Sequence, residues 1–199
     1  MPEFGPHPLF AEPYIGATPE PESKGDEYIA LSLRWPKTSA VPLYLRLTDG
    51  PRSLVELGFD EDTHRLCSVT LVIAPPDAWS VGIGTARGGL PVEEGLPRCD
   101  PAAWIARTRT GSLDDFRYRF YELPASVRVE LGPTELVLLI GGLAGPAVRE
   151  LASGRVRCGV DARGAFAYLR LTPLSAREAE LLAEFHLPDP LRTLTGGGR

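Results

Sequence analysis

Apolar side chains recur at every second position through much of this chain. In YIALSLRW (28–35), Ile29, Leu31, Leu33 and Trp35 fall on one side of an extended backbone, and Tyr28, Ser32 and Arg34 on the other. A period of two is the signature of a strand with one wet face. VPLYLRLTDG (41–50) repeats it with Leu43, Leu45 and Leu47, and the TDGP that follows signals a turn. SLVELGF (53–59) and CSVTLVI (67–73) read as strands rich in β-branched residues, which makes DEDTHR between them a hairpin connection. FRYRFYEL (116–123) and SVRVEL (126–131) alternate, while TELVLLIGG (134–142) is an apolar run suited to a strand buried on both faces. GRVRCGV (154–160) and FAYLRLTPL (166–174) form a further hairpin.

Helical signals are few. Asp100 followed by Pro101 is an N-cap and first-turn pair that predicts a short helix through AAWIAR. Ser175 and Glu178 form a capping box at the start of SAREAELLAEF, with Leu174 placed as the staple toward Ala179. The fold class expected is α+β, mostly β. It has seven to nine strands in predominantly antiparallel sheets of hairpins and meanders, and a carboxy-terminal helix packed on a sheet.

Prolines and glycines divide the chain. Residues 1–26 carry prolines at 2, 6, 8, 13, 19 and 21 and read as an arm or strap pinned by Phe4, Phe10 and Tyr14. A single globular domain is expected over 27–190, followed by a loose tail over 191–199. Residues 74–100 are so rich in Gly and Pro that they read as one long loop, either functional or mobile. The hairpins also match each other. GFDEDTHRLCSVTLV and GVDARGAFAYLRL set Gly58 on Gly159 and Asp60 on Asp161, and one deleted residue brings Val69 onto Leu169. The separation is close to half the chain, which raises a duplicated unit with tandem halves 27–75 and 114–187. Each aspartate leaves its strand where an Asx turn can bond the backbone two residues on.

Composition narrows the partners. The 199 residues carry a formal charge of −5, and no Lys/Arg cluster interleaved with aromatics offsets it, so nucleic acid is not an expected partner. No run of eighteen apolar residues and no basic, apolar leader is present, which predicts no membrane span and an unexported, cytoplasmic protein. Cys67, Cys99 and Cys158 are an odd number at wide spacing, signalling neither a disulfide framework nor a zinc site.

The dozen residues GFDEDTHRLCSV (58–69) crowd three acids, a histidine and a cysteine together. A calcium loop would need a central glycine and a closing glutamate, and both are missing. His64 and Cys67, three apart across a hairpin, tend to opposite faces, which argues against a nucleophile–base pair. VGIGTARGG (81–89) has glycines but neither a GK[ST] ending nor a following helix, so a phosphate loop is not expected. HExxH and GxSxG are absent. No catalytic residue, metal or cofactor is assigned.

What remains is binding. The acids of DEDTH, PVEEG and SLDDF fall at expected loops, and Trp79 sits in PPDAWSVG where no periodicity demands burial. An exposed indole is a favoured interface anchor. The function expected is a non-catalytic protein-interaction protein, analogous in class to bacterial immunity or inhibitor proteins that bind basic toxin domains. Its contact residues are Asp60, Glu61, Asp62, His64, Trp79, Glu93, Glu94, Asp114 and Asp115. On this view Asp60→Lys with Glu61→Lys spares folding and weakens the complex. The alternative is an enzyme or small-molecule binder with 74–100 as a lid over a pocket.

Overall fold

The computed structural model describes residues 9–25, 29–37, 39–50, 52–81, 89–106 and 116–186. Phe4, His7, Tyr28, most of the glycine-rich stretch, Asp114, Asp115 and the tail lie outside them. The proline-rich arm supplies β1 (Phe10–Ile15) and β2 (Glu22–Lys24). The alternating segments supply β3 (Leu31–Arg34), β4 (Leu43–Thr48), β5 (Leu54–Phe59) and β6 (Leu66–Ile73). The Gly/Pro-rich stretch supplies β7 (Trp79–Val81) and β8 (Val92–Cys99), followed by the short helix α1 (Ala102–Ile105). Then come β9 (Phe120–Pro124), β10 (Ser126–Leu131), β11 (Leu136–Gly141), β12 (Arg149–Ser153), β13 (Val156–Val160), β14 (Phe166–Leu171) and α2 (Ala176–His186).

The class is α+β and mostly β, with fourteen strands among the described residues where seven to nine were expected. They form an eight-stranded sheet, β1-β8-β12-β13-β14-β11-β10-β7, and a six-stranded sheet, β2-β3-β6-β5-β4-β9. Most pairings are antiparallel, but β4–β9, β8–β12 and β7–β10 are parallel, so both sheets are mixed. The strands missed from sequence are β1, β2, β7, β8 and β12, and two of them, β1 and β8, carry a proline. Pro13 falls where the β1–β8 register shifts between Ala11 and Tyr14, and Pro97 faces that same irregularity between Leu96 and Arg98. Neither missing N–H removes a regular ladder bond there. Phe116–Arg119, expected as strand, is a 3-10 turn whose last carbonyl, that of Arg119, accepts the Trp104 indole N–H at 3.1 Å.

The apolar faces of the two sheets share one core. Leu33, Leu43, Leu45, Leu47, Leu57 and Val69 from the smaller sheet and Val129, Leu136, Leu138, Leu151, Leu169 and Leu171 from the larger have no exposed surface. Burying each such side chain contributes about 1.5–3 kcal/mol against conformational entropy. Leu31–Arg34 shows how the pattern works: Leu31 and Leu33 face the core, and Arg34 is exposed. β11 is buried on both faces through Leu138, as its apolar run predicts. Trp35 ties the two sheets together, and Trp104 packs α1 on the smaller one. Trp35, just past β3, donates from Nε1 to the Ser153 hydroxyl of β12 at 2.7 Å, and that hydroxyl donates to the Pro19 carbonyl at 2.9 Å. Trp104 packs edge-on against Phe59 and Tyr121.

The smaller sheet reproduces six strands of the larger one. The order β2-β3-β6-β5-β4-β9 and the order β10-β11-β14-β13-β12-β8 have the same pairing at every step, antiparallel four times and then parallel. The two sheets therefore repeat one order and sense of strand pairing over six strands. The units do not keep the expected bounds, however: β2 lies before residue 27, β8 lies between 27–75 and 114–187, and β9, which completes the smaller sheet, lies within 114–187.

The capping box predicted at Ser175 forms. The Glu178 carboxylate accepts the Ser175 N–H at 2.8 Å, and the Ser175 hydroxyl accepts the Glu178 N–H at 3.2 Å. The same carboxylate takes a two-pronged ion pair from Arg155 at 2.6 and 2.7 Å, fastening α2 to the turn between β12 and β13. Burial raises the Glu178 carboxyl, but Arg155, Ser23 and Ser175 outweigh it and hold it down to about 2. A carboxyl depressed on folding stabilises above its unfolded value, roughly 4.3, and loses that contribution as pH falls toward the folded value. Glu178→Gln should therefore lower the melting temperature at pH 7. The difference from the wild type should shrink between pH 4.5 and pH 2, followed by thermal denaturation monitored by circular dichroism.

Candidate functional site

The GFDEDTHR stretch is a turn built around a buried carboxylate. Asp60 is 2% exposed. One carboxylate oxygen accepts the Thr63 N–H and hydroxyl, both at 2.9 Å. The other accepts the Ser39 N–H at 2.8 Å and the Ser39 hydroxyl at 3.1 Å. The first pair closes the reversal, and the second holds the β3–β4 loop against it. Asp161, 4% exposed, does the same in the other unit. One of its oxygens accepts the N–H groups of Arg163 and Ala165 at 2.8 and 2.9 Å. The other accepts the Gly145 N–H at 3.0 Å, holding the β11–β12 loop. Burial pushes the Asp161 carboxyl up, but the donors from Gly145, Ala165 and Arg163 bring it below the ordinary carboxylate value. His64 has φ 59°, and Gly164 stands at the matching place with φ 81°, so His64 meets a left-handed backbone requirement of the turn. Its carbonyl accepts the Cys99 N–H at 2.9 Å, docking the tip on the end of β8.

The predicted contact residues therefore divide. Asp60 is not a surface acid, because its oxygens are taken up within the fold. Trp79 is not an exposed anchor. It is 7% exposed, donates to the Ala74 carbonyl at 3.3 Å, and lies opposite Val129 in a parallel pairing that its local sequence could not reveal. Glu61 meets Arg119 at 2.7 Å, and Glu93 meets Arg149 at 3.4 Å. Asp62 and Glu94 are exposed, Glu94 on a strand rather than a loop. The tip docks at Cys99, five residues along β8 from Glu94, so these two positions on β8 lie roughly 17 Å apart along the strand.

The described residues of the lid expected over 74–100 include two strands, β7 and β8, and Leu90 walls a cavity. That cavity, about 520 Å³ and open to solvent, lies on the outer face of the larger sheet. Its floor is Leu139, Ile140, Gly141 and Ala167, and its rim is the β11–β12 loop, Ala144 to Ala147, that Asp161 holds through Gly145. Polar groups enter from Ser126, Arg128 and Tyr168. Tyr168 lies across Gly159, where a Cβ would collide with its ring, and donates to buried Glu150 at 2.8 Å. Arg170 meets the other Glu150 oxygen at 2.9 Å. Arg128, exposed on β10, has no ion-pair or hydrogen-bond partner among the described residues.

A second cavity of about 250 Å³ occupies the matching place in the smaller sheet. Registers equate Arg34 with Leu139, Trp35 with Ile140, Cys67 with Ala167 and Ser68 with Tyr168, and each member of these pairs lines its cavity. The β3–β4 loop held by Asp60 stands where the β11–β12 loop stands. No protein-family model matches the chain, and no curated protein matches it.

The thiols are not poised as nucleophiles. Burial pushes Cys67 up to about 11 and Cys99 up to about 12, and raises Cys158 as well. Among the described residues no three His, Cys, Asp or Glu side chains converge as around a metal ion. Arg128, Ser126 and Arg34 were visible in the sequence only as the polar side of alternating strands.

Since removing either carboxylate leaves backbone N–H groups without their acceptor, two at Asp60 and three at Asp161, Asp60→Ala and Asp161→Ala should each lower the unfolding free energy by about 2–4 kcal/mol. Asp60→Lys with Glu61→Lys should fail to fold rather than spare the fold. Urea denaturation followed by tryptophan fluorescence measures both effects.

Proposed function

We propose that the protein is a non-catalytic binding protein that grips an extended segment of a protein partner in the groove on the outer face of its larger sheet. The interaction reading is kept, and the contact surface moves from the acidic loops to the groove. The observation that carries it is Arg128, a cation at the edge of an apolar trough with no carboxylate of its own among the described residues. Elsewhere Arg46, Arg119, Arg149, Arg155 and Arg170 each meet an acid. A guanidinium left open beside Leu139, Ile140 and Ala167 suits an Asp or Glu flanked by apolar side chains. The trough is open, and Gly141 and Ala167 in its floor let a backbone approach closely there. Its volume also falls within the roughly 300–1,000 Å³ common for ligand sites. Three free, buried cysteines fit a reducing cytoplasm. No helix among the described residues is long and apolar enough to cross a membrane.

Leu90 favours a second reading, in which a small apolar carboxylate occupies the groove beneath the remnant of the expected lid.

Selection from a displayed library of random peptides separates these readings. The groove reading expects enriched peptides carrying an Asp or Glu between apolar residues. Arg128→Glu should weaken them about tenfold or more, the usual scale of a lost charge-assisted bond. Its melting temperature should stay unchanged, because Arg128 supports nothing within the fold. Basic peptides that ignore Arg128→Glu and are lost on Asp62→Lys or Glu94→Lys would return the contact to the acidic residues. Enrichment of no peptide, with saturable binding of small apolar carboxylates, would install the second reading.

A further inference from the structure

The second cavity shares its construction with the groove and has different chemistry. At the position of apolar Leu139 it carries Arg34, and next to Trp35 and Pro36 it carries Lys37. Across the outer face, Arg34, Ser68, Gly58 and Tyr44 stand side by side on β3, β6, β5 and β4. Gly58 leaves a gap between the Ser68 hydroxyl and the Tyr44 ring, because a Cβ there would collide with Ser68 Oγ. Thr70 adds a third hydroxyl one row along, 3.5 Å from that of Ser32. The acid in the cavity, Glu56, is held by Arg46 at 3.0 Å. Glu22, opposite Arg34 on β2, is taken by Lys24 at 3.2 Å. Arg34 itself has no ion-pair or hydrogen-bond partner among the described residues, and Lys37 donates only to the Ala40 carbonyl, at 2.8 Å.

We infer that this cleft binds a phosphate monoester, with Arg34 and Lys37 supplying charge and Ser68, Thr70 and Tyr44 supplying hydroxyl donors. Two cations and three hydroxyls offer more donors than one carboxylate can accept, whereas a tetrahedral dianion presents three or four oxygens at once. The guanidinium fork matches two of them, and an ammonium serves as a point charge. Burial, then the neighbouring Glu56, raises the Tyr44 phenol, which keeps its proton available as a donor at neutral pH. At about 250 Å³ the cleft has room for the phosphoryl group and a small attached body. This inference is independent of the groove, which lies on the other sheet.

Titration calorimetry of the full chain with inorganic phosphate, and separately with phosphoserine, tests it. One saturable site is expected for both ligands. Arg34→Gln combined with Lys37→Gln should weaken it by more than tenfold, on the scale of two charge-assisted contacts, and Thr70→Val by a few-fold. Tighter binding of phosphoserine than of phosphate would mean that the attached body is also recognised. Equal binding would confine recognition to the phosphoryl group. Arg177→Gln, a surface charge change on α2, should leave affinity unchanged. Absence of saturation with both ligands overturns the inference. So does equal weakening by Arg177→Gln and by the double variant, which would mark nonspecific attraction.

Discussion

A buried carboxylate that reaches two ways is the constraint on which the rest of this molecule depends. Asp60 and Asp161 each use one oxygen to close a hairpin and the other to fasten a neighbouring loop, that of Ser39 or that of Gly145. Removing a carboxylate from water is unfavourable, and each aspartate offsets this by accepting bonds from backbone N–H groups that would otherwise be buried unpaired. The turn and the loop are therefore fixed together. Because each loop forms the rim of a cavity, the same contact that stabilises the reversal also sets the shape of the surface beside it.

The two units share this device and diverge in what surrounds it. Around Asp161 the cavity is lined by Leu139, Ile140 and Ala167, with one cation at the edge. Around Asp60 it is lined by Arg34, Ser68 and Thr70, with Lys37 in the loop. The inward faces are alike because both must fill one core between the sheets. The outward faces are free of that demand, so their chemistry is independent of the fold.

Much of the fold was legible because apolar–polar alternation sustained over several residues suits a half-buried strand and little else. The strands around Leu43–Leu47, Val127–Leu131 and Leu169–Leu171, and the capping box at Ser175, follow from local rules. β1 and β8 were not legible, since Pro13 and Pro97 argue against strands unless one knows that they fall at a shared register break. Trp79 lies in a three-residue strand whose partner is some fifty positions away, beyond the reach of any local pattern. The candidate site was harder still. The matched Gly58 and Gly159, and Asp60 and Asp161, did mark the turns, but charge suggested that Asp60 is wet, and its hydrogen bonds to Ser39 come from a loop that the sequence does not place. Arg128 and Arg34 became distinctive only when neighbouring strands showed what lies beside them.

The way β8 and β9 are shared has a consequence for how the chain holds together. After β6 the backbone enters the larger sheet at β7 and β8, returns to the smaller one at β9, and crosses back at β10. The halves are thus laced to each other, and no single break in the backbone yields one fragment holding all of one sheet and another holding all of the other. Loss of order in either sheet strips a strand's anchorage from its counterpart, so the molecule should melt as a single cooperative body and not layer by layer.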